Sequence, residues 1–183
     1  NTHQQLLHQP SNSNDNLNIH NLSATSYPSS NHSELLVHAY AAQIHDALLD
    51  REARHLVDPD YMSGQRDVNS TMRGILVDWL VEVGEEYKLQ TETLFLAVNY
   101  IDRFLSYVPV ARAKLQLVGV ACMLVASKFE DVHPPAVDEF VYISDNTYLR
   151  DEVLQMEGAL LSRLEFNLSV VTAVPFLRRY ARL

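Results

Sequence analysis

The sequence predicts an all-α protein, a five-helix bundle around a buried central helix, preceded by an N-terminal helix. Three observations carry that expectation. No stretch of useful length alternates apolar and polar residues as a half-buried strand would. Apolar residues instead recur at i, i+3, i+4 and i+7 in segments bounded by Ser, Thr, Asn or Pro. The run from Leu115 to Ala126 is apolar on every side, the mark of a helix enclosed by other helices.

Along the chain, residues 1–32 are rich in Asn, Ser, His and Gln, and Asp15 is their only charged side chain. Such a segment buries too little apolar area to offset its ordering entropy and is expected to be a disordered tail. The chain begins without Met, so a piece of a longer protein is expected. Residues 33–68 read as a helix and linker. Ser33 caps a seam of Leu35, Leu36, Tyr40, Ile44, Ala47, Leu48 and Ala53, and Pro59 and Gly64 mark the irregular link.

Residues 69–170 hold the five helices. Ser70 or Thr71 caps the first, which runs to about Tyr87. Thr91 caps the second, with Leu94, Ala97, Val98, Ile101 and Leu105 inward, and it breaks before Pro109. The third runs from about Val110 to Phe129. Pro134-Pro135 stop it and begin a short fourth ending near Tyr142. Asp145, Asn146 and Thr147 offer caps for a fifth that reaches about Leu164, with Asp151 and Glu152 in its first turn, where the helix dipole favours them. Thr172 and Pro175 then open another helix within residues 171–183.

Composition excludes several functions. The 183 residues carry a net charge of −9, which argues against a nucleic-acid binder and leaves room for a cationic partner. The single cysteine, Cys122, lies in an apolar run, so a reducing intracellular compartment is expected. There is no basic-then-apolar N-terminal signal, and Leu115 to Ala126 is shorter than the roughly 20 residues that span a bilayer, so no membrane association is expected. His3, His8, His20 and His32 sit in the tail, while His38, His45, His55 and His133 lack paired metal-ligand spacing. Five glycines form no phosphate loop, and Cys122 has no nucleophile signature around it. Neither an enzyme, a metal nor a cofactor is expected.

The first bundle helix is apolar on too many sides for a surface helix. Met72, Ile75, Leu76 and Trp79 form one stripe, while Val77, Leu80, Val81 and Val83 fill others. It is therefore buried on several sides or offers the surplus stripe to another protein. Four charged residues stand in apolar helical surroundings. Arg73 is either a ligand for phosphate or substrate or the partner of Asp102 in a pair that staples two helices, and burial favours the pair. Lys128 ends the third helix, where the dipole favours a solvated lysine, and Glu157 lies mid-way along the fifth.

The segment Met72-Arg73-Gly74-Ile75-Leu76-Val77-Asp78-Trp79-Leu80-Val81-Glu82 resembles the signature helix of the cyclin box. Tyr100 to Leu105, Lys114 to Gly119 and Ala126 to Glu130 follow in that family's order and spacing, and Val83 to Leu89 resembles A-type cyclins more than B-type. The resemblance spans about Ser33 to Leu183 and implies a first cyclin box over 69–170, with a truncated second box from 171. It implies a nuclear and partly cytoplasmic regulatory subunit that binds and activates a cyclin-dependent Ser/Thr kinase in S phase and at G2/M. By resemblance, Lys128 and Glu157 face the kinase with Phe129, Leu161, Phe166 and Leu168, and Tyr40 and Ile44 extend that face. Met72, Ile75, Leu76, Trp79, Leu115 and Gln116 match the groove for Arg-x-Leu peptides of substrates and inhibitors, and Glu82 would meet the peptide's cation. Arg73 and Asp102 match the family's internal ion pair. Gly74 departs from the usual Ala, at a helical cost of about 1 kcal/mol. Two alternatives remain open: a truncated cyclin that only docks Arg-x-Leu peptides, and a cyclin-like DNA-binding factor, which would need a basic face.

Overall fold

The computed structural model describes residues 40–181. The expected polar tail and the start of the N-terminal helix at Ser33 lie outside these residues. Among the described residues there are seven α-helices and no strand: α1 (Ala41–Glu52), α2 (Ser70–Glu86), α3 (Thr91–Tyr107), α4 (Leu115–Glu130), α5 (Val137–Ile143), α6 (Arg150–Arg163) and α7 (Ala173–Tyr180). Short 3-10 turns lie at Ala53–His55, Tyr61–Gly64 and Arg112–Lys114.

The all-round apolar run becomes the central helix. Every residue of α4 from Leu117 to Ser127 is buried, enclosed chiefly by α3 and α6, with α2 and α5 completing the wall. Leu80 and Val83 of α2, Leu96, Tyr100 and Ile101 of α3, Phe140 of α5 and Val153 and Leu160 of α6 close around it. Burial of each large apolar side chain contributes about 1.5–3 kcal/mol. The Tyr100 hydroxyl, deep in this core, donates to the Leu168 carbonyl at 2.8 Å. Burial raises its pKa well above the usual tyrosine value.

Helix ends depart from the sequence expectation in instructive ways. Asn69, rather than Ser70 or Thr71, caps α2: its side-chain oxygen accepts from the Met72 N–H at 3.0 Å. Thr91 begins α3 without capping it. Asp131 does so from across the fold, accepting the Gln90 N–H at 2.9 Å and the Thr93 hydroxyl at 2.6 Å. The central helix starts at Leu115 instead of Val110: Ala111 is extended, with φ of −69° and ψ of 144°, and a 3-10 turn follows it, while the Val110 N–H donates to Gln65 Oε1 at 2.9 Å. The same Gln65 amide donates to the carbonyls of Leu105 and Val108, at 2.6 and 2.8 Å, and so closes the end of α3. Asp145 and Asn146 do not cap α6; both are left-handed, with φ of 56° and 53°, and their N–H groups close the end of α5 by donating to the Tyr142 and Val141 carbonyls at 2.9 and 3.1 Å. Glu152 serves α6 by accepting the Leu149 N–H at 3.0 Å and an ion pair from Lys114 at 2.8 Å. These two partners, Lys114 foremost, hold its carboxyl below the ordinary range. That stabilisation is present at neutral pH and is lost as pH falls through the depressed value. Thr172 caps α7 as expected, accepting from Val174 N–H at 3.2 Å.

α1 is held to the region after α6. Arg51 donates to the Ser169 hydroxyl at 2.6 Å, Arg179 donates to the Ala41 carbonyl at 2.8 Å, and the His45 ring meets Phe176 edge-on at 5.8 Å.

Candidate functional site

Two surfaces and one ion pair gather the residues singled out by sequence. The first is a groove of about 380 Å³ between α2 and the start of α4. Met72, Ile75, Leu76 and Trp79 supply one side, with Leu115 and Gln116 opposite. The i, i+3, i+4, i+7 spacing puts the four α2 residues on one face. Leu76 and Leu115 are buried and form the floor, whereas Ile75 is 65% exposed at the rim. The surplus apolar stripe of α2 is thus an open surface. Glu82 does not line the groove; it follows Trp79 by one helical turn and is exposed. Sequence reading missed Arg112, which lines the groove from the 3-10 turn ahead of α4. Its position three residues before Leu115 is the only signal that could have pointed to it.

The ion pair joins α2 to α3. Arg73 reaches from α2 to Asp102 on α3 with two parallel bonds, Nε to Oδ1 at 2.6 Å and Nη2 to Oδ2 at 2.7 Å. The Tyr61 hydroxyl donates to the same Oδ1 at 2.7 Å. Arg73 is therefore a staple, and the alternative of a ligand-binding arginine has no free fork to support it. Its pKa is raised, with the Asp102 bond as the largest cause. That of Tyr61 is raised by burial first and by Asp102 second.

The second surface lies where α4 ends against α6. Lys128 Nζ pairs with Glu157 Oε1 at 2.7 Å, so Lys128 is not simply solvated. Phe129, next to Lys128 on α4, is 47% exposed and Phe166, in the turn after α6, is 71% exposed, while Leu161 and Leu168 are half-buried. Phe166 is presented by a turn in which both Glu165 and Phe166 are left-handed, with φ of 54° and 56°. Two consecutive non-glycine residues in that region are costly and mark a turn that its surroundings dictate. Ile44 on α1 is 49% exposed, and Tyr40 is 56% exposed.

No group of three or more His, Cys, Asp or Glu side chains among the described residues could hold a metal ion. Cys122 is fully buried, and burial pushes its thiol well above the usual value, which leaves no reactive thiolate. No described helix is long and apolar enough to cross a membrane.

Residues 43–169 match the family described as "Cyclin, N-terminal domain". The chain belongs to the cyclin family. Its relatives include A-type cyclins: the G2/mitotic-specific cyclin-A of Hydra viridissima is 58% identical over 141 residues, which are 77% of this chain and 34% of that protein. Human cyclin-A1 is 57% identical over 143 residues, 78% of this chain and 31% of that one. Cyclin-A1-1 of Arabidopsis thaliana is 54% identical over 155 residues, covering 84% and 34%. The chain thus spans about a third of the length of these relatives. Among solved structures, a viral cyclin from herpesvirus saimiri superposes with a TM-score of 0.70 at 27% identity, over 75% of this chain and 60% of that one. The all-helical architecture is that of the cyclin box.

Two glycines of this cyclin box test the groove's construction in opposite directions. A Cβ at Gly119 would lie 2.6 Å from Leu76 Cδ1, so the α2 side chain on the groove floor must move. A Cβ at Gly74 would meet nothing within 4 Å. Gly119→Ala is expected to lower stability by about 1–2 kcal/mol through overpacking. Gly74→Ala is expected to raise it by about 0.5–1 kcal/mol through helix propensity. Urea denaturation of the two variants checks both signs.

Proposed function

We propose that this chain is the first cyclin box of an A-type regulatory subunit that binds and activates a cyclin-dependent Ser/Thr kinase in S phase and at G2/M, in the nucleus and partly in the cytoplasm. The observation that carries the reading is the Lys128–Glu157 pair at 2.7 Å, with exposed Phe129 next to Lys128 in sequence and exposed Phe166 in the turn after α6. Exposed aromatics around a charged pair have the make-up of an interaction centre rather than of a solvated surface. In this reading Lys128 and Glu157 exchange their mutual bond for charge-assisted bonds to the kinase. Phe129, Leu161, Phe166 and Leu168 bury their apolar area against it, and Ile44 of α1 extends the contact. Activation is a population shift: the cyclin favours the kinase form whose αC helix is turned inward, placing that helix's Glu against the ATP-positioning Lys. The cyclin does no chemistry of its own.

The groove on α2 has a separate role in this reading. It docks Arg-x-Leu segments of substrates and inhibitors and raises their effective concentration at the kinase. The leucine of such a segment fits the floor made by Leu76 and Leu115 beside Trp79, and exposed Glu82 and the net charge of −9 favour the cation. Phosphorylation of a peptide substrate by a purified monomeric cyclin-dependent kinase, with and without this chain, tests the proposal. Stimulation is expected. Its absence, with an Arg-x-Leu peptide still bound and released by Trp79→Ala, would instead support a module that only docks peptides.

A further inference from the structure

We infer that the cleft where the linker after α1, the last turn of α3 and the end of α6 meet binds a phosphate monoester carried on a phosphorylated Ser or Thr of a protein segment. The cleft holds about 480 Å³ and lies apart from the α2 groove. Three guanidinium groups line it, from Arg54, Arg103 and Arg163, against the two carboxylates of Asp58 and Glu165. In a chain of net charge −9 that is a local reversal of sign.

None of the three arginines has a carboxylate within 4.0 Å among the described residues, whereas Arg73, Lys114, Lys128 and Arg150 all do. Arg103 gives one Nη to the Asn167 carbonyl at 2.8 Å and keeps the rest of its fork for the cleft. Burial lowers its pKa, and no acidic partner offsets that penalty. An anion in the cleft would. Arg163 is already held out, its guanidinium 4.2 Å above the Tyr107 ring, so little side-chain freedom remains to be lost on binding. Of the opposing carboxylates, Asp58 accepts the Asp60 N–H at 2.9 Å, and Glu165 is exposed on its turn.

The ligand class follows from charge and size. A phosphate dianion with three acceptor oxygens gains more from several guanidinium forks than a carboxylate does, and so better outweighs Asp58 and Glu165. The volume exceeds what a bare ion fills. Leu56, 75% exposed, and Tyr107, 60% exposed, are apolar surfaces of the cleft for the residues that flank the phosphorylated one. The site would let the chain take hold of a partner already phosphorylated elsewhere, independently of the groove on α2.

The test is an amide NMR titration of the chain with an Ala-Leu-phosphoserine-Leu-Ala peptide, its unphosphorylated counterpart and inorganic phosphate. The phosphopeptide is expected to shift the amides of residues 54–58 and 163–167, and the unphosphorylated peptide is not. The exposed double variant Arg54→Gln/Arg163→Gln should weaken phosphopeptide binding about tenfold or more while melting as wild type does. Arg178→Gln on α7, which removes one positive charge outside the cleft, should bind as wild type. Absent or scattered shifts, equal shifts with the unphosphorylated peptide, or equal weakening by Arg178→Gln would overturn the site. Binding of inorganic phosphate as tight as that of the peptide would overturn the assignment to a phosphoprotein and leave an ion site only.

Discussion

Asp102→Ala is expected to lower the stability of the chain by about 3 kcal/mol. Two donors depend on that carboxylate, the Arg73 fork at 2.6 and 2.7 Å and the Tyr61 hydroxyl at 2.7 Å. The side chains of Arg73 and Asp102 are 30% and 19% exposed, so water repays part of the loss but not all of it. Removing Asp102 strands a guanidinium and a phenol between α2, α3 and the Tyr61 turn. At this chain length the loss corresponds to a fall of about 10 °C in Tm. Asp102→Asn keeps an acceptor for Tyr61 and should cost less, and Arg73→Lys loses the two-pronged geometry and should also fall between. A Tm series of the three variants reads this order directly. An Asp102→Ala protein as stable as wild type would mean that the pair is held for another reason.

The second large effect has the opposite character. Lys128→Ala/Glu157→Ala is expected to leave folding nearly unchanged and to abolish kinase stimulation. The Lys128 and Glu157 side chains are 43% and 13% exposed, and because both charges are removed together neither is left stranded, so the change in stability is about 0–1 kcal/mol. At the centre of an apolar interface the same two groups would be desolvated, and loss of bonds there costs several kcal/mol, on the order of 100-fold or more in affinity. The separation between an unaltered melting curve and lost activity distinguishes an interface role from a structural one. Stimulation that survives the double substitution would place the kinase elsewhere.

Much of this was legible because helical periodicity is a local signal. Met72, Ile75, Leu76 and Trp79 share a face by spacing alone, and the all-round apolar run from Leu115 to Ala126 could only be enclosed. The Arg73–Asp102 pair was open to inference because a charge in apolar surroundings needs a partner. What escaped were bonds between residues far apart in sequence. Gln65 closing α3 and Asp131 capping it lie about forty residues from their partners, and no local pattern announces them. Asn69 caps α2 where Ser70 or Thr71 is expected, because all three residue types cap helices well. Arg112 was overlooked because the expected helix ran through it, whereas the chain makes a 3-10 turn there and turns that side chain into the groove. Lys128 looked solvated for want of any sequence sign that Glu157, twenty-nine positions on, sits beside it.

Calorimetric titration of a monomeric cyclin-dependent kinase into wild type, Lys128→Ala/Glu157→Ala and Trp79→Ala tests the central claim most directly. The expected result is tight binding by wild type and Trp79→Ala, with binding by the double variant weakened by on the order of 100-fold or more. Equal affinity for wild type and the double variant, or a loss confined to Trp79→Ala, would contradict the assignment of the kinase to the α4–α6 surface.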